Sequence, residues 1–259
     1  MSDKQTSLDV NSVDKYLAEL SKELKKEYGK RASFELIVVG GASIVMNYDF
    51  RSLTTDIDHV VSGGSIKDAV HRVADKFGIS DGWLNSDFRT TASYSPKLIQ
   101  YSKPYKCFNQ ILNVRTVQAE YLLAMKLVSF RSYKRDRSDI IGILDSHNKR
   151  GEPISLEKVD VAVKNLYGGW DIVSDEAKEF ITKALTMDYD EEIKYENQNN
   201  EIVKNIKQIS NLKSEDVDEV VKMIREKKGL EERFEEAKRE AAATKGLTKK
   251  QKDIATLER

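Results

Sequence analysis

The sequence predicts an α/β protein with a mixed sheet in the N-terminal half and an all-helical C-terminal region. Three observations predict it. Before residue 150, short β-branched runs ended by glycine turns alternate with helical apolar periods. The three prolines are Pro96, Pro104 and Pro153, and most glycines precede residue 170, so turn chemistry belongs to the front half. From 191 to 259 there are 16 basic and 16 acidic residues among 69, with Tyr195 and Phe234 the only aromatics, which reads as long solvated helix. The expected organisation is an N-terminal helix over 1–32, a core over 33–149 and a helical domain over 150–259.

The elements follow in order. Leu17, Leu20 and Leu24 share a helical face, with Ser12 as a cap and Gly29 at the C-terminal stop. FELIVV (34–39) is a buried strand that ends at Gly40-Gly41. ASIVMNY (42–48) is short and can be helical, and TDIDHVV (55–61) alternates as a strand does. IKDAVHRVADKFG (66–78) is an amphipathic helix stopped by Gly78. CFNQILNVRT (107–116) is a further strand and VQAEYLLAMKLVSF (117–130) a largely apolar helix. Beyond 150, Ser155, Ser174 and Ser214 each open a helix, and Asp175 and Glu176 complement the dipole of the second. EERFEEAKREAAATKG (231–246) has high helix propensity and few apolar anchors.

Composition excludes several classes. Lys+Arg and Asp+Glu are both 43 among 259 residues, so the chain is not a uniformly basic nucleic-acid binder. Apolar residues, at 39%, suffice for a core. The single cysteine, Cys107, excludes an intrachain disulfide and a cysteine-rich zinc site, and reads as a core residue. His59, His71 and His147 lack metal-ligand spacing, and His59 reads as structural. No run of 18 apolar residues exists and MSDKQTSLDV lacks an apolar leader, so no membrane contact and a cytoplasmic setting are expected.

The sharpest feature is Asp56-Ile57-Asp58. Residues two apart on a strand point to one side, about 7 Å apart at their Cα atoms. Two adjacent carboxylates raise each other's pKa, and a divalent cation between them removes that cost. Oxygen-only ligands suit Mg²⁺ or Mn²⁺, which hold substrate phosphates in turn. Gly40-Gly41, followed by Ala42-Ser43 at a helix start, offers backbone N–H groups to an anion, and Ser43 adds a hydroxyl donor. The bland alternatives are a solvated acidic edge and an ordinary strand-to-helix turn.

The stretch GGASIVMNYDFRSLTTDIDHVV resembles the signature of the nucleotidyltransferase superfamily: apolar strand, Gly-Gly or Gly-Ser, a spacer, then Asp-x-Asp on the next strand. Arg51 and Thr54 match a local R-x-x-T-x-D-I-D form of bacterial members, and Trp83-Leu84-Asn85 looks like the same branch. YLLAMKLVSFRSYKRDRSDI resembles the K…R…(R/K)-D-x-x-D block of the AbiEii-like, type IV toxin nucleotidyltransferases. The resemblance spans roughly residues 34–145 and implies a nucleotidyltransferase fold. It implies that Gly40, Gly41 and Ser43 hold NTP phosphates and that Asp56 and Asp58 bind Mg²⁺. It places Lys126 and Asp139 in catalysis, with Arg131 at the nucleotide and Asp136 close by. The implied reaction moves an NMP from an NTP to an acceptor in a toxin-like setting.

Read from the residues alone, Lys126 either snorkels from its apolar helix or meets an anion. Asp136 and Asp139 share a helical face and complement the dipole of the helix they begin, while Glu120 reads as a solvated face position. Residues 97–137 carry nine basic side chains against Glu120 and Asp136, interleaved with Tyr101, Tyr105, Phe108, Tyr121 and Tyr133. That is either ordinary surface or a face for NTP phosphates and an RNA acceptor, tRNA included. A protein hydroxyl or a small molecule such as an aminoglycoside stays open as acceptor. One departure stands out: CFNQILNV carries no acid where many superfamily members place a third carboxylate as base. Asp139, the substrate or a water takes that role, or catalysis is lost. The rival readings are therefore a catalytically silent nucleotide-binding module and a helical protein that binds an antitoxin-like partner.

Overall fold

The computed structural model describes residues 7–186, apart from 63, 132 and 133. The expectations for 191–259, the helix at Ser214 and the segment 231–246 included, lie outside the described residues, as does that for Tyr133. The described elements are α1 (Val10–Tyr28), β1 (Phe34–Val38), α2 (Gly40–Asn47), β2 (Ile57–Ser62), α3 (Lys67–Phe77), β3 (Leu84–Asn85), β4 (Ser102–Phe108), β5 (Leu112–Val117), α4 (Ala119–Ser129), α5 (Asp136–Lys149), α6 (Leu156–Tyr167) and α7 (Asp175–Ala184). The described residues up to Phe130 and from Arg135 onward form one compact unit, and Arg131 and Lys134 belong to a second.

The sheet is mixed, as expected, with strand order β3-β2-β1-β5-β4. β1 is apolar on both faces and takes the centre, antiparallel to β2 and parallel to β5. Phe34, Leu36 and Val38 pack with Leu17, Leu20 and Leu24 of α1 and Val70 and Val73 of α3. Ile37 and Val39 pack on the other face with Leu122 and Leu123 of α4 and Ile140 and Ile143 of α5. Val159, Ala162 and Val163 of α6 and Phe180 and Ile181 of α7 extend that second core, which crosses residue 150 without a break.

Local chemistry explains the boundaries. Asp9 caps α1 by accepting from the Ser12 N–H at 2.8 Å, so the cap stands three residues before the expected Ser12. Gly78 ends α3 in the left-handed region, at φ +62°. Ser155 and Ser174 cap α6 and α7 as expected. The expected strand over 107–116 is instead a hairpin. Asn109 and Gln110 both take positive φ, +48° and +65°, and the Ile111 N–H donates to the Phe108 carbonyl at 3.1 Å. The Asn-Gln pair lacks the glycine that usually marks such a turn, which hid it in the sequence. β4 is the edge strand, where Pro104 costs no ladder bond, and its register shifts between Pro104 and Lys106. Cys107 lies on this edge and is exposed, which corrects its expected place in the core. No helix among the described residues is long and apolar enough to cross a membrane.

His59 is 5% exposed, and its Nδ1 has no hydrogen-bond partner among the described residues. Desolvation depresses its pKa from 6.5 to about 4. The unfolded chain therefore binds a proton that the folded chain refuses between those values, and stability falls as pH drops through that window. The loss approaches about 3 kcal/mol by pH 4. Urea melts of metal-free protein from pH 7 to 4 should show this slope, and His59→Gln should flatten it. An unchanged slope in the variant would remove His59 as its source.

Candidate functional site

The site is built where β1 runs into α2. Val39 is the extended residue before the helix and its N–H donates to the Asp58 carbonyl at 3.0 Å, which fixes the glycine turn against β2. Gly40 has φ +61°, and a β-carbon there would stand 3.0 Å from Asp58 Oδ2. The first glycine is thus required twice, for its backbone and for the carboxylate seated on it. At Gly41 a β-carbon would stand 2.6 Å from Arg51 Nη2 and 2.9 Å from Thr54 Oγ1. The second glycine makes room for a guanidinium and a hydroxyl from the α2–β2 loop. Leu8 pins that loop by pairing with Thr54 through two backbone bonds of 2.7 and 2.9 Å.

Asp56 precedes β2 and accepts from Thr55 Oγ1 and Asn85 Nδ2, each at 3.2 Å, and it takes part in no ion pair among the described residues. Asn85 arrives because β3 pairs with β2 in the register Asp58↔Asn85. By strand alternation Asp58 shares a face with Val60, which belongs to the core built by α4–α7. His59 lies on the opposite face, as expected. Ser43 is fully buried in α2, and its Oγ has no partner among the described residues.

Lys126 neither reaches solvent nor stays free. It is 7% exposed on α4, and its Nζ lies 2.8 Å from Asp136 and 2.7 Å from Asp139. Burial alone would lower its pKa, but the two carboxylates outweigh burial and hold it above 10.5. Arg51 Nη1 donates to both oxygens of Asp139, at 2.9 and 2.7 Å. The four side chains form a network that ties α4 and α5 to the glycine turn through Arg51. Arg51 is the residue that the site assignment from sequence lacked. Its only trace was its place in the R-x-x-T-x-D-I-D stretch. Arg131 belongs to the second unit.

The strands β4 and β5 carry no Asp or Glu, so the expected departure holds in the structure. The basic, aromatic stretch is largely occupied by packing. Tyr101 and Tyr121 stack on each other at 4.0 Å. Tyr105 donates to Asp14 and Lys106 pairs with the same residue, while Arg115 donates to Ser102. Arg137 pairs with Glu176 and lies over the rings of Phe130 and Phe180.

The donor set fits a hard divalent cation. Asp56 and Asp58 supply oxygen alone, and no cluster of three or more His, Cys, Asp or Glu ligands occurs among the described residues. A two-carboxylate site leaves room for water and phosphate oxygens, the usual shell of Mg²⁺. The buried Ser43 hydroxyl, without a partner among the described residues, stands beside the carboxylate-lined turn at Gly40, and both fit a metal-bound phosphate.

A glycine turn at a helix start, with a strand carboxylate seated on it and paired cations behind it, is the candidate site on this mixed sheet. The chain belongs to the family described as nucleotidyltransferase of unknown function (DUF6036), whose model matches residues 15–148, just over half of its length. No curated protein and no solved structure matches the chain.

The two glycines predict separable effects. Gly40→Ala strains a positive-φ backbone by about 1 kcal/mol and shifts Asp58 by a few tenths of an ångström. Gly41→Ala displaces Arg51 from Asp139 and costs about 3 kcal/mol by breaking a buried ion pair. Thermal melts together with nucleotide-binding isotherms should show Gly41→Ala as the larger loss of stability and Gly40→Ala as the variant that loses binding with little loss of stability. The reverse order would contradict the geometry.

Proposed function

We propose that the protein is a Mg²⁺-dependent nucleotidyltransferase that moves an NMP from an NTP to an acceptor. The observation that carries this reading is the seat of Asp58 Oδ2 directly against Gly40, at the start of α2. Asp56 and Asp58 hold the cation (Mn²⁺ can replace Mg²⁺), which when bound draws charge from the transferring phosphoryl group. The α2 N-terminus and Ser43 receive the triphosphate, and Asn85 orients Asp56 through its 3.2 Å bond. The join of Lys126 and Asp139 to the glycine turn supports the AbiEii-like, toxin-type branch. In that branch both residues belong to the catalytic machinery and Arg131 to the nucleotide site. A toxin-like role in the cytoplasm, with an antitoxin-like protein partner, goes with it. RNA is the first acceptor, met through its phosphates rather than by stacking, because Tyr101, Tyr105 and Tyr121 pack internally.

A second reading is a nucleotide-binding module without turnover. It draws on the acid-free β4 and β5 and on Asp139, whose oxygens are held by two cations. The test incubates the protein with each α-³²P-labelled NTP, Mg²⁺ or Mn²⁺, and total RNA or protein. Label transferred by wild type and lost in Asp58→Asn supports the enzyme. Saturable NTP binding without transfer supports the silent module. Neither binding nor transfer removes both.

A further inference from the structure

We infer that Arg51, through its Nη2 atom, is a triphosphate-contacting residue of this site. The inference rests on the nucleotidyltransferase reading and adds a nucleotide-binding side chain to it. The argument is an inventory of donors. A guanidinium has five N–H groups in a fixed fork. In Arg51, Nε donates to the Leu53 carbonyl at 3.2 Å and Nη1 donates to both Asp139 oxygens. Those bonds fix the plane of the head, and the side chain is 15% exposed. Nη2 donates to no group among the described residues, and it is the atom that a β-carbon on Gly41 would meet first, at 2.6 Å. The one unused edge of an immobilised cation therefore lies against the second glycine of the turn. A Cβ is missing there for that reason, and an oxyanion seated on the turn meets Nη2 directly.

The charge pattern supports this division of labour. Lys126 is committed to Asp136 and Asp139 and is 7% exposed, so it has little left for a ligand. Arg51 and Lys126 each already pair with a buried carboxylate. Nη2 then contributes a directed, charge-assisted donor rather than a diffuse positive field. The buried Ser43 hydroxyl, also without a partner among the described residues, stands three residues after Gly40 in the same helix turn. Two unused donors thus border one glycine pair, and both suit a phosphate oxygen. Lysine could not replace this arrangement, because one ammonium cannot both hold the Asp139 carboxylate and face the turn.

The test is calorimetry with non-hydrolysable α,β-methylene NTPs and with the matching NMPs, on wild type and Arg51→Lys, with folding of the variant confirmed by thermal melt. Arg51→Lys should weaken NTP binding roughly 10–100-fold and leave NMP binding within about threefold. A folded variant with wild-type NTP affinity overturns the inference and leaves the nucleotide site standing. Wild type that binds neither NTP nor NMP overturns the nucleotidyltransferase reading, and the inference falls with it. Should Arg51→Lys fail to fold, wild type ¹⁵N-labelled at arginine is titrated with inorganic triphosphate. A shift of the Arg51 Nη resonances supports the contact. Unmoved Arg51 resonances under saturating triphosphate overturn it.

Discussion

Asp58→Asn is expected to lower nucleotidyl transfer about 1000-fold or more while changing unfolding free energy by no more than about 1 kcal/mol. Both figures follow from the same geometry. Asp58 Oδ2 rests on Gly40, the proposed triphosphate seat, and Asp56 stands two residues before it, just ahead of β2. An amide keeps the shape but supplies no negative charge to the cation. Losing several kcal/mol of charge stabilisation in the transition state corresponds to about three powers of ten in rate. The stability effect is small because the carboxylate is only partly buried and no packing volume is removed. Its removal also relieves repulsion from Asp56, by a few tenths of a kcal/mol at the surface. Transfer within tenfold of wild type in a folded variant would remove Asp58 from the metal site. A loss of several kcal/mol would make it a structural acid instead.

The fold was legible where sequence periodicity and punctuation agree. β1 is the clearest case: an apolar run ending in two glycines can bury both faces and turn at once, and it sits at the sheet centre. α3 was as clear, from its apolar stripe and its Gly78 stop. β4 and the hairpin were not, because Pro104 and Lys106 look unlike a strand and Asn109-Gln110 looks unlike a turn. Tertiary pairing with β5 makes the edge strand, and two residues accept positive φ to close it. The acid pair and the glycine turn could be read because both are local. The network of Lys126, Asp136, Asp139 and Arg51 could not, because it joins residues up to 88 positions apart. A lysine inside YLLAMKLVSF announces that something must meet it, but periodicity cannot say whether that is water, phosphate or a carboxylate. Arg51 was hidden by its setting in a polar loop, where an arginine is most simply solvated.

Lys126→Met should be the most damaging single change to stability, by about 3–5 kcal/mol in urea unfolding. The reason is what it leaves behind. Asp136 is fully buried and Asp139 is 1% exposed. Without Lys126, Asp139 keeps Arg51, but Asp136 loses its 2.8 Å bond to the ammonium, one of the interactions that offset its desolvation. Against a net stability of about 5–15 kcal/mol, such a loss is a large fraction of the whole. The penalty is specific to charge, so Lys126→Met with Asp136→Leu should cost less than Lys126→Met alone, since both members of a buried pair then leave together. Because the folded pKa of Lys126 lies above 10.5, its contribution is fully present below that value and fades only as pH rises through the higher folded value. The gap between wild type and variant should therefore close only in strong alkali. A single-variant loss under about 1 kcal/mol, or a double variant worse than the single, would show that the ion pairs do not hold α4 to α5. The double variant also separates the two roles open to Lys126. If it folds and still transfers label at low temperature, the lysine is a strut for Asp139. If it folds, binds NTP and transfers nothing, the ammonium takes part in the reaction itself.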